Sequence, residues 1–590
     1  MHRLLPFLLA CLTLCATPAV AQDATEEAPA SAGFRYKLVV DAPNPPREAL
    51  AEGLDLARWQ ADEAMTLDLL ERLARESVAQ AREIAAVHGF YDAQATVAID
   101  RDARPVIVTL KVTPGPATRV RSVRIDVDGP ATTDQPLGTQ AIDEARDGWR
   151  LKLGEVFRQA DWVGAKAQAL RELQRSPYAA ARIVTSQARV DPDAQAADLE
   201  LRIDSGPPFR IGGLAIQGLK RYSPELVANF STIEPGEPYT EAIVDQYVRR
   251  LSATGYFSSV QASIDPQTAH PEDATLDVAV IEGPTHRLEG ALSFSTDTGF
   301  GARVGYTNVN LDDAGLQMRL DGRLETKQQL ARSTFTWPPT ARHWIDSLQV
   351  GAERTDIENT TETNATVQVE RRGIDERNHP VYTASFVADR EEPQGAEPTD
   401  SHATFVQAGY VLRRVDDLLS PTRGYMVDAR AGGGIPGIST RGFGRVHVQA
   451  AAWWPIDRMT QLAFRGEAGA VIASRRDGIP SVFLFRTGGD TTVRGYAYQS
   501  LGLPRGDAVV GGRYLAIASA EAIRWINETW GVAAFVDVGD AFDDTGGFDP
   551  AVGVGLGARL RTPIGPFRLD VAYGERTKEV RLHFSVGVTF

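Results

Sequence analysis

Apolar and polar residues alternate along the C-terminal half of the chain, from His286 onward. In residues 530–538 the even-numbered positions are apolar and share one strand face, whereas the odd-numbered face carries Asp537. Residues 552–560 and 567–574 repeat this division. Strands with one apolar and one polar face fit a barrel with lipid outside and water inside. The periodicity alone also allows a soluble β-sandwich.

The alternating region, residues 285–590, is long enough for about 16 antiparallel strands, at about 19 residues for each strand with its connection. We therefore predict a transmembrane β-barrel. Its last segment alternates through Phe584 and ends on the aromatic Phe590. Within that segment, Gly587 lowers the free energy needed to bend the final strand.

Three mixed α/β units precede the alternating region, and each closes with an alternating strand followed by Gly-Pro. The closing glycines are Gly115, Gly206 and Gly283. Helix-stop segments that carry an aromatic residue recur before them, at residues 88–91, 175–178 and 254–257. Repetition at this spacing predicts a tandem array of small βααββ modules. We place the modules at residues 34–116, 117–207 and 208–284.

Each module is expected to leave one strand at the edge of its small sheet. An exposed edge accepts an extended partner strand through backbone hydrogen bonds, with little demand on the partner's sequence. The alternative is that the modules are spacers whose edges are capped. The pattern leaves both open.

The N-terminus has the features of a cleaved secretory signal. A basic start is followed by an apolar run over residues 4–14 and by a small-x-small pattern that ends at Ala21. We predict a signal peptide over residues 1–21 and a disordered linker over 22–33. A lipoprotein signal is the weaker alternative. Both cysteines of the chain lie inside the signal, which excludes disulfides and thiolate metal sites from the mature protein.

Net charge and hydropathy exclude two further classes of protein. The chain carries a formal net charge of -15, which argues against nucleic acid as a partner. After the signal, no segment offers the roughly 18 uninterrupted apolar residues that a membrane helix needs. The chain is therefore expected to reach the cell envelope without a helical anchor.

The sequence contains no convincing motif of an enzyme active site. The nine histidines show no metal-ligand spacing, and neither a serine elbow nor a phosphate-binding loop is visible. The tripeptide 297–299 matches the aspartic-protease motif but stands alone amid strand-like sequence. The run 432–437 lacks the strand-to-helix context of a phosphate site. We predict a protein without catalytic activity, metal or cofactor.

A glycine-bracketed loop, residues 487–496, carries one arginine between two β regions. If Arg494 lies in a confined site, its guanidinium needs carboxylate or aromatic partners. Two candidates follow on predicted strands: Glu521 and Asp537. Local sequence alone favours the alternative, an exposed hairpin loop with a solvated arginine.

Tandem modules, a barrel, the tetrapeptide Val493-Arg494-Gly495-Tyr496 and the strand motif Phe535-x-Asp537-x-Gly539 occur together. In this combination the chain resembles the BamA/TamA superfamily of outer-membrane assembly proteins over essentially the whole mature sequence. The resemblance implies that the loop folds into the barrel lumen and that its arginine meets acidic residues on the inner wall. Asp537 matches that wall position, and Glu521 matches a second one less closely.

The number of modules indicates the subfamily. Three modules with a barrel of this size look like the TamA subfamily, which implies a TamB-like partner that spans the periplasm. It also implies insertion of unfolded outer-membrane proteins, notably autotransporters, and traffic of outer-membrane lipid. The modules would then lie in the periplasm of a Gram-negative bacterium. Clients would enter at a lateral seam between the first strand, 286–294, and the last, 581–590, which includes Phe584, Gly587 and Phe590.

Two other functions fit the same pattern. A two-partner secretion pore would export one polypeptide through the lumen. A diffusion channel would use the modules as periplasmic spacers.

Overall fold

The structure is a computed structural model that describes residues 35–62, 64–295, 298–544, 546–562 and 567–586. The expected signal peptide and linker, and the barrel-end residues Gly587 and Phe590, lie outside the described residues. The chain divides into two compact units. One runs from the N-terminus to Gln174 and from Ala181 to Gly206, and the other comprises 175–180 with 207–590.

The first compact unit contains two small α/β modules. The elements of its first module are β1 (Tyr36–Asp41), α1 (Pro46–Gly53), α2 (Asp55–Arg58), α3 (Leu67–Val87), β2 (Gln94–Asp100) and β3 (Val106–Thr113). Thr66 caps α3, because its side chain accepts a hydrogen bond from the Leu69 amide. The helix ends before Gly89, whose φ of 94° suits a residue without a side chain.

The second module has the same plan. Its elements are β4 (Arg119–Asp128), α4 (Leu137–Asp147), α5 (Gln159–Arg175), β5 (Arg182–Asp191) and β6 (Ala196–Asp204). The alternation at 199–203 predicts β6, and the apolar spacing around 162–173 predicts α5. The βααββ plan implies a strand before β6, but the sequence pattern does not locate β5, because this strand lies at an edge and exposes most of its side chains, including Val184 at 53%.

The third module belongs to the second compact unit. Its elements are β7 (Arg210–Gln217), α6 (Pro224–Ala228), β8 (Glu237–Pro238), α7 (Glu241–Ala253), β9 (Phe257–Ser263) and β10 (Ala274–Glu282). Ser223 and Thr240 cap α6 and α7 with their side-chain oxygens. The core between the helices and the sheet contains Leu226, Tyr247 and Tyr256.

All three modules share one sheet topology. In each, the last strand lies between the first strand, to which it is parallel, and the middle strand, to which it is antiparallel. The third sheet adds the short β8 beside β7. The structure therefore contains three α/β units of one architecture.

The remaining strands are β11 (His286–Ser295), β12 (Gly299–Asn308), β13 (Gln317–Glu325), β14 (Gln328–Thr336), β15 (Trp344–Ile357), β16 (Thr360–Gly373), β17 (Asn378–Pro393), β18 (Thr399–Val415), β19 (Gly424–Gly434), β20 (Phe443–Pro455), β21 (Thr460–Ile472), β22 (Leu503–Arg505), β23 (Ala508–Val510), β24 (Tyr514–Trp525), β25 (Trp530–Phe542), β26 (Ala551–Leu560), β27 (Phe567–Gly574) and β28 (Glu579–Val586). Strands β22 and β23 form a separate hairpin, and the other 16 form one antiparallel sheet. The prediction of about 16 antiparallel strands is confirmed. Strands β11 and β28 are the two ends of the sheet order.

The two faces of the large sheet differ as the alternation predicts. On β25, Val532 and Val536 are 49% and 40% exposed, whereas Phe535 and Asp537 are 6% and 0% exposed. The apolar face therefore lies outside and the polar face inside. Within the described ranges, no helix is both long and apolar enough to cross a membrane.

Turns at one end of the large sheet pack against the third module. The Tyr256 hydroxyl donates to the Gly315 carbonyl at 2.5 Å, and the Asn229 side-chain amide donates to the Pro339 carbonyl at 2.9 Å. The core of the module also includes three residues from these turns and strand ends: Val309, Ile345 and Ile374. We call this end of the sheet the module end and the opposite one the far end.

Candidate functional site

A long connection joins β21 to β24 and contains most of the conspicuous sequence motif. This lumenal loop, residues 473–513, leaves β21 at the far end and returns to β24 there. Its residues Val493, Arg494 and Tyr496 are all at most 1% exposed. The loop therefore packs inside the barrel instead of extending into solvent, which excludes the solvated-hairpin alternative.

Arg494 forms ion pairs with three carboxylates on the inner wall. Its Nε and Nη2 donate to Oδ2 and Oδ1 of Asp537 at 2.7 and 2.9 Å. Its Nη1 donates to Glu521 Oε2 at 2.8 Å and to Asp570 Oδ2 at 3.0 Å. Parallel two-point pairing of this kind fixes the orientation of the guanidinium as well as its position.

Further contacts hold the side chains of Arg494 and Asp537 in place. The guanidinium carbon of Arg494 lies 3.3 Å from the ring centroid of Phe535, so one face of the cation is covered by an aromatic ring. The Arg494 amide donates to Asp537 Oδ2 at 3.1 Å, and the Ser519 hydroxyl donates to Asp537 Oδ1 at 2.6 Å. The Asp537 carboxylate thus accepts hydrogen bonds on both oxygens.

A second buried arginine connects the remaining carboxylates. Arg559 donates from Nε to Glu521 Oε1 at 2.9 Å and from Nη1 to Asp570 Oδ1 at 2.5 Å. Glu521 and Asp570 therefore each bridge Arg494 and Arg559. Because a buried charge is stable only when it is paired, the loop and the wall depend on each other for charge compensation.

Glycines allow the loop backbone to approach the wall closely. A Cβ atom on Gly553 would lie 1.9 Å from the Arg494 carbonyl oxygen, and one on Gly574 would lie 2.6 Å from the Gly495 carbonyl oxygen. Gly495 itself has a φ of 95°, a region that side chains disfavour. Backbone contact at this distance explains why the tetrapeptide needs glycine after its arginine.

The neighbours of Arg494 make additional contacts with the wall. The Tyr496 hydroxyl donates to the Val552 carbonyl at 2.9 Å, and the Gly495 amide donates to His583 Nε2 at 3.0 Å. A Cβ atom on Gly539 would lie 3.0 Å from a Val493 methyl carbon, so that glycine also leaves space for the loop. His583 lies on β28, which brings the loop into contact with the last described strand of the sheet.

A second set of contacts holds the ends of the lumenal loop on a distant part of the wall. Arg486 Nη2 pairs with Glu362 Oε1 at 2.8 Å on β16, and Arg476 Nη2 pairs with Glu391 Oε1 at 2.9 Å on β17. Arg505 Nη1 also reaches Glu391 Oε2 at 3.3 Å. We call these pairs the second anchor.

Backbone contacts strengthen the second anchor. The hairpin β22–β23 receives a hydrogen bond on the Val509 carbonyl from the Thr360 hydroxyl at 2.9 Å. The Ser481 amide and hydroxyl both donate to the Asp389 carboxylate, at 2.7 and 2.9 Å. The loop therefore runs from β16 and β17 to β24–β28 and is attached at both places.

The structure brings most of the predicted loop and wall residues together. Val493, Arg494, Gly495 and Tyr496 meet a wall that contains Glu521, Phe535, Asp537 and Gly539. Phe584 does not join this group, because it lies on the exterior parity of β28 and packs near Phe567, with a ring centroid separation of 6.2 Å.

Sequence reasoning missed four residues of the cluster: Ser519, Arg559, Asp570 and His583. The alternation in β26 and β27 already places Arg559 and Asp570 on the polar face. A charged side chain on the inner wall needs an oppositely charged partner nearby. The inward positions of Arg559 and Asp570 were therefore a sequence signal for both residues. Ser519 and His583 carry no comparable signal.

A polar cavity of about 400 Å³ borders the cluster, between the loop and the wall. Its lining includes Arg465, Glu467 and Arg568. Arg465 joins the loop to the wall, because Nη1 donates to the Thr491 carbonyl at 2.8 Å and Nη2 to the Ser519 hydroxyl at 3.3 Å. Among the residues that the structure describes, no group of histidine and acidic side chains is arranged to hold a metal ion.

Comparison with known proteins shows the family. Residues 283–590 match the Omp85 superfamily domain, and residues 209–283 match POTRA, described as a surface antigen variable number repeat. The fold is similar to that of BamA from Haemophilus ducreyi lacking POTRA domains 1–3. That similarity has a TM-score of 0.54 and 16% identity, and covers 80% of this chain and 100% of the other.

CdiB from Escherichia coli is more distantly similar, with a TM-score of 0.44, 11% identity, and coverage of 80% of this chain and 90% of the other. The superfamily domain spans more than half of the chain, and its barrel and its adjacent POTRA module are both present in the structure. The chain belongs to the Omp85 superfamily, whose members are outer-membrane β-barrels with periplasmic POTRA domains that handle polypeptide clients.

Proposed function

We propose that this protein is an assembly factor of the TamA type, which inserts β-barrel and autotransporter proteins into the outer membrane. In this proposal all three α/β modules are POTRA domains, at residues 34–116, 117–207 and 208–284. Their common sheet topology supports that assignment. The domains lie in the periplasm, where a TamB-like protein and unfolded clients reach them.

One observation carries the proposal: the lumenal loop contacts the last described strand directly. The Gly495 amide donates to His583 on β28, and Arg494 pairs with Asp570 on β27. These strands lie at the end of the sheet order, where β28 and β11 form the proposed seam. A loop held in this position therefore holds the seam strand in position as well.

The seam supplies the mechanism of insertion. An unpaired strand edge inside a bilayer is very unfavourable, because its amides and carbonyls have no water to bind. Client strands that pair with an edge of β11 or β28 avoid that exposure, and they can pass from edge to edge until the client closes. The Arg494 cluster keeps β24–β28 in register while β28 separates from β11. In this mechanism Phe584 lies on the seam strand β28, and Gly587 and Phe590 remain proposed residues of the seam and of the C-terminal signal.

The POTRA domains receive clients and the partner. In the first two modules, β2 and β5 lie at sheet edges, and an edge pairs with an extended chain through backbone hydrogen bonds. Strand β5 is ten residues long, which is enough for an extended segment of a client or of a TamB-like partner. Besides polypeptide clients, outer-membrane lipid is the second class of molecule that contacts the barrel.

Site-specific crosslinking in intact cells tests the proposal. Photoreactive residues would replace outward positions on β11 and β28, with matched positions on β19 as controls. We expect β11 and β28 to capture nascent barrel or autotransporter proteins and β19 to capture none. Capture of a single secreted polypeptide by photoreactive residues at inward positions of the same strands would instead indicate a two-partner secretion pore. Porin-level conductance without any assembly defect on deletion would indicate a diffusion channel.

A further inference from the structure

The outer surface of β15–β18 contains an ion pair within an apolar, aromatic region. Arg371 on β16 donates from Nε and Nη2 to Oδ1 and Oδ2 of Asp346 on β15, at 2.7 and 2.8 Å. The two side chains are 55% and 33% exposed. The pair lies on the outer face, because Val369, two residues from Arg371, is 51% exposed on the same side of the strand.

Cross-strand registers arrange the surroundings of the pair in rows. Asp346, Arg371 and Tyr382 are neighbours in one row across β15, β16 and β17. The next row toward the far end is apolar throughout and consists of Leu348, Val369, Ala384 and Val406. The small Ala384 side chain leaves a notch between the larger side chains on either side.

This notch is part of an outward groove of about 550 Å³ whose lining includes Trp337, Tyr382, Val369, Val406 and the ion pair. We call it the β15–β18 groove. Trp337 and Tyr382 are 42% and 49% exposed at its edge. Amphipathic rings at the border of an apolar surface are typical of the interface between lipid tails and headgroups.

The groove lies toward the module end of the barrel. The Trp337 amide donates to the Asp346 carbonyl at 3.0 Å, and the following turn accepts the hydrogen bond from Asn229 of the third module on the Pro339 carbonyl. Since the module is periplasmic in this family, the ion pair lies at the level of the periplasmic leaflet. The apolar row lies deeper, where acyl chains are.

We propose that the β15–β18 groove binds a zwitterionic phospholipid with a phosphoethanolamine headgroup. The pair with Asp346 uses two of the five N–H donors of the Arg371 guanidinium, so the others are available for the lipid phosphate. The Asp346 carboxylate accepts from the lipid ammonium. One acyl chain lies in the notch above Ala384.

Charge complementarity selects this headgroup over the alternatives. A purely anionic headgroup gains from Arg371 but is repelled by Asp346. A choline headgroup carries the same charges as phosphoethanolamine, but its quaternary ammonium has no N–H to donate to the carboxylate. Both charges of the pair are therefore used only by a headgroup that has a phosphate and a hydrogen-bonding ammonium.

Native mass spectrometry of the full-length protein tests the site. The protein would be released from micelles that contain equal amounts of phosphatidylethanolamine, phosphatidylcholine and phosphatidylglycerol. We expect phosphatidylethanolamine to be retained about threefold over either competitor, the ratio expected for exposed charge contacts. Arg371→Ala should remove that preference, and Asp346→Asn should shift it toward phosphatidylglycerol.

Arg390→Ala is the matched control, because Arg390 forms an exposed pair with Asp400 on the neighbouring strands β17 and β18, outside the residues that line the groove. It should leave the preference unchanged, and heat-modifiable migration in gels should show that every variant is folded. Equal retention of the three lipids overturns the proposal, as does a phosphatidylethanolamine preference that survives Arg371→Ala. A preference for phosphatidylcholine overturns it too, because it would indicate cation–π contact with the aromatic rings.

Discussion

Arg494 and Asp537 join the lumenal loop to β25 through two parallel hydrogen bonds of 2.7 and 2.9 Å, with side chains that are 1% and 0% exposed. A buried pair of this kind contributes little net stability compared with apolar residues, but the loss of one partner leaves the other charge buried and unpaired. The pair therefore acts mainly by holding the loop in one place. The predictions below test that role and the contacts around it.

Arg494→Ala should release the lumenal loop while the strands stay paired. Three carboxylates then lose a cation, and we expect a loss of about 3–5 kcal/mol of loop-docking free energy. Protease cleavage within residues 473–513 should accelerate, and assembly of barrel clients should fall. Arg524→Ala is the control, because its pair with Asp457 is more than half exposed and contributes about 0–1 kcal/mol. Full client assembly by the Arg494→Ala variant would contradict the proposed role of the loop.

Gly553→Ala should displace the loop without removing any charge. The added methyl group would lie 1.9 Å from the Arg494 carbonyl oxygen, so backbone must move on one side of the contact. We expect the same protease sensitivity as for Arg494→Ala. Gly290→Ala provides the control, since its methyl group would meet nothing within 4 Å. If the two glycine variants behave alike, the close approach of the loop to β26 is not important.

Glu391→Gln should loosen the second anchor only. Glu391 is 5% exposed and accepts from both Arg476 and Arg505, so a neutral amide leaves two arginines without their carboxylate. Hydrogen exchange should increase in the hairpin β22–β23 and stay low around Arg494. Glu392→Gln, at a half-exposed neighbouring position that pairs with Arg390 and not with the loop, should have no effect on the hairpin. Equal loss of protection at both places would show that the loop detaches as one unit.

Tyr256→Phe should weaken the joint between the third module and the barrel. The Gly315 carbonyl loses its 2.5 Å hydrogen bond and remains buried, which costs about 1–3 kcal/mol. Spin labels on the module and on the barrel should report a broader distance distribution. Tyr222→Phe is a close control, because the Tyr222 ring lies 5.1 Å from that of Tyr256 and its buried hydroxyl has no hydrogen-bond partner among the described residues. A matching change in both variants would rule out the hydrogen bond as the cause.

The pH dependence of the third module should reflect Glu282. Burial raises the pKa of this carboxyl, but hydrogen bonds from the Arg221 side chain and from the amides of 220–222 outweigh it and lower the pKa to about 2. The folded pKa is thus below the ordinary value of 4.5. The stabilisation is therefore complete above that value and is lost as the pH falls toward about 2.

Glu282→Gln imitates the protonated state and provides the measurement. At neutral pH the amides of 220–222 should exchange faster in the variant than in the unmodified protein, and the difference should disappear near the folded pKa. Asp277→Asn, on the exposed face of the same strand, should leave these amides unchanged. A difference that persists undiminished at the lowest pH would mean that the carboxylate charge is not what orders this segment.

Local patterns in the chain determine its elements and their faces. Alternation at period two is enough to separate an outer from an inner face, so it predicts that Asp537 and Arg559 face inward and that about 16 strands follow the modules. The Gly-Pro repeat likewise predicts three modules. The position of β5 within the second module is not predicted, because an edge strand with exposed side chains has no buried face to produce a periodic signal.

The partners of Arg494 depend on the tertiary structure. Sequence supplied an arginine in a loop and two acidic candidates, Glu521 and Asp537, which a solvated hairpin would also have allowed. Only the folded barrel shows that Asp570 and Arg559 complete the cluster and that Gly553 makes room for the loop backbone. Contacts between residues so far apart in the chain depend on strand register and loop path, which local periodicity does not encode. The chain itself thus determines which side chains face inward, and the closed packing of loop against wall decides which of them meet.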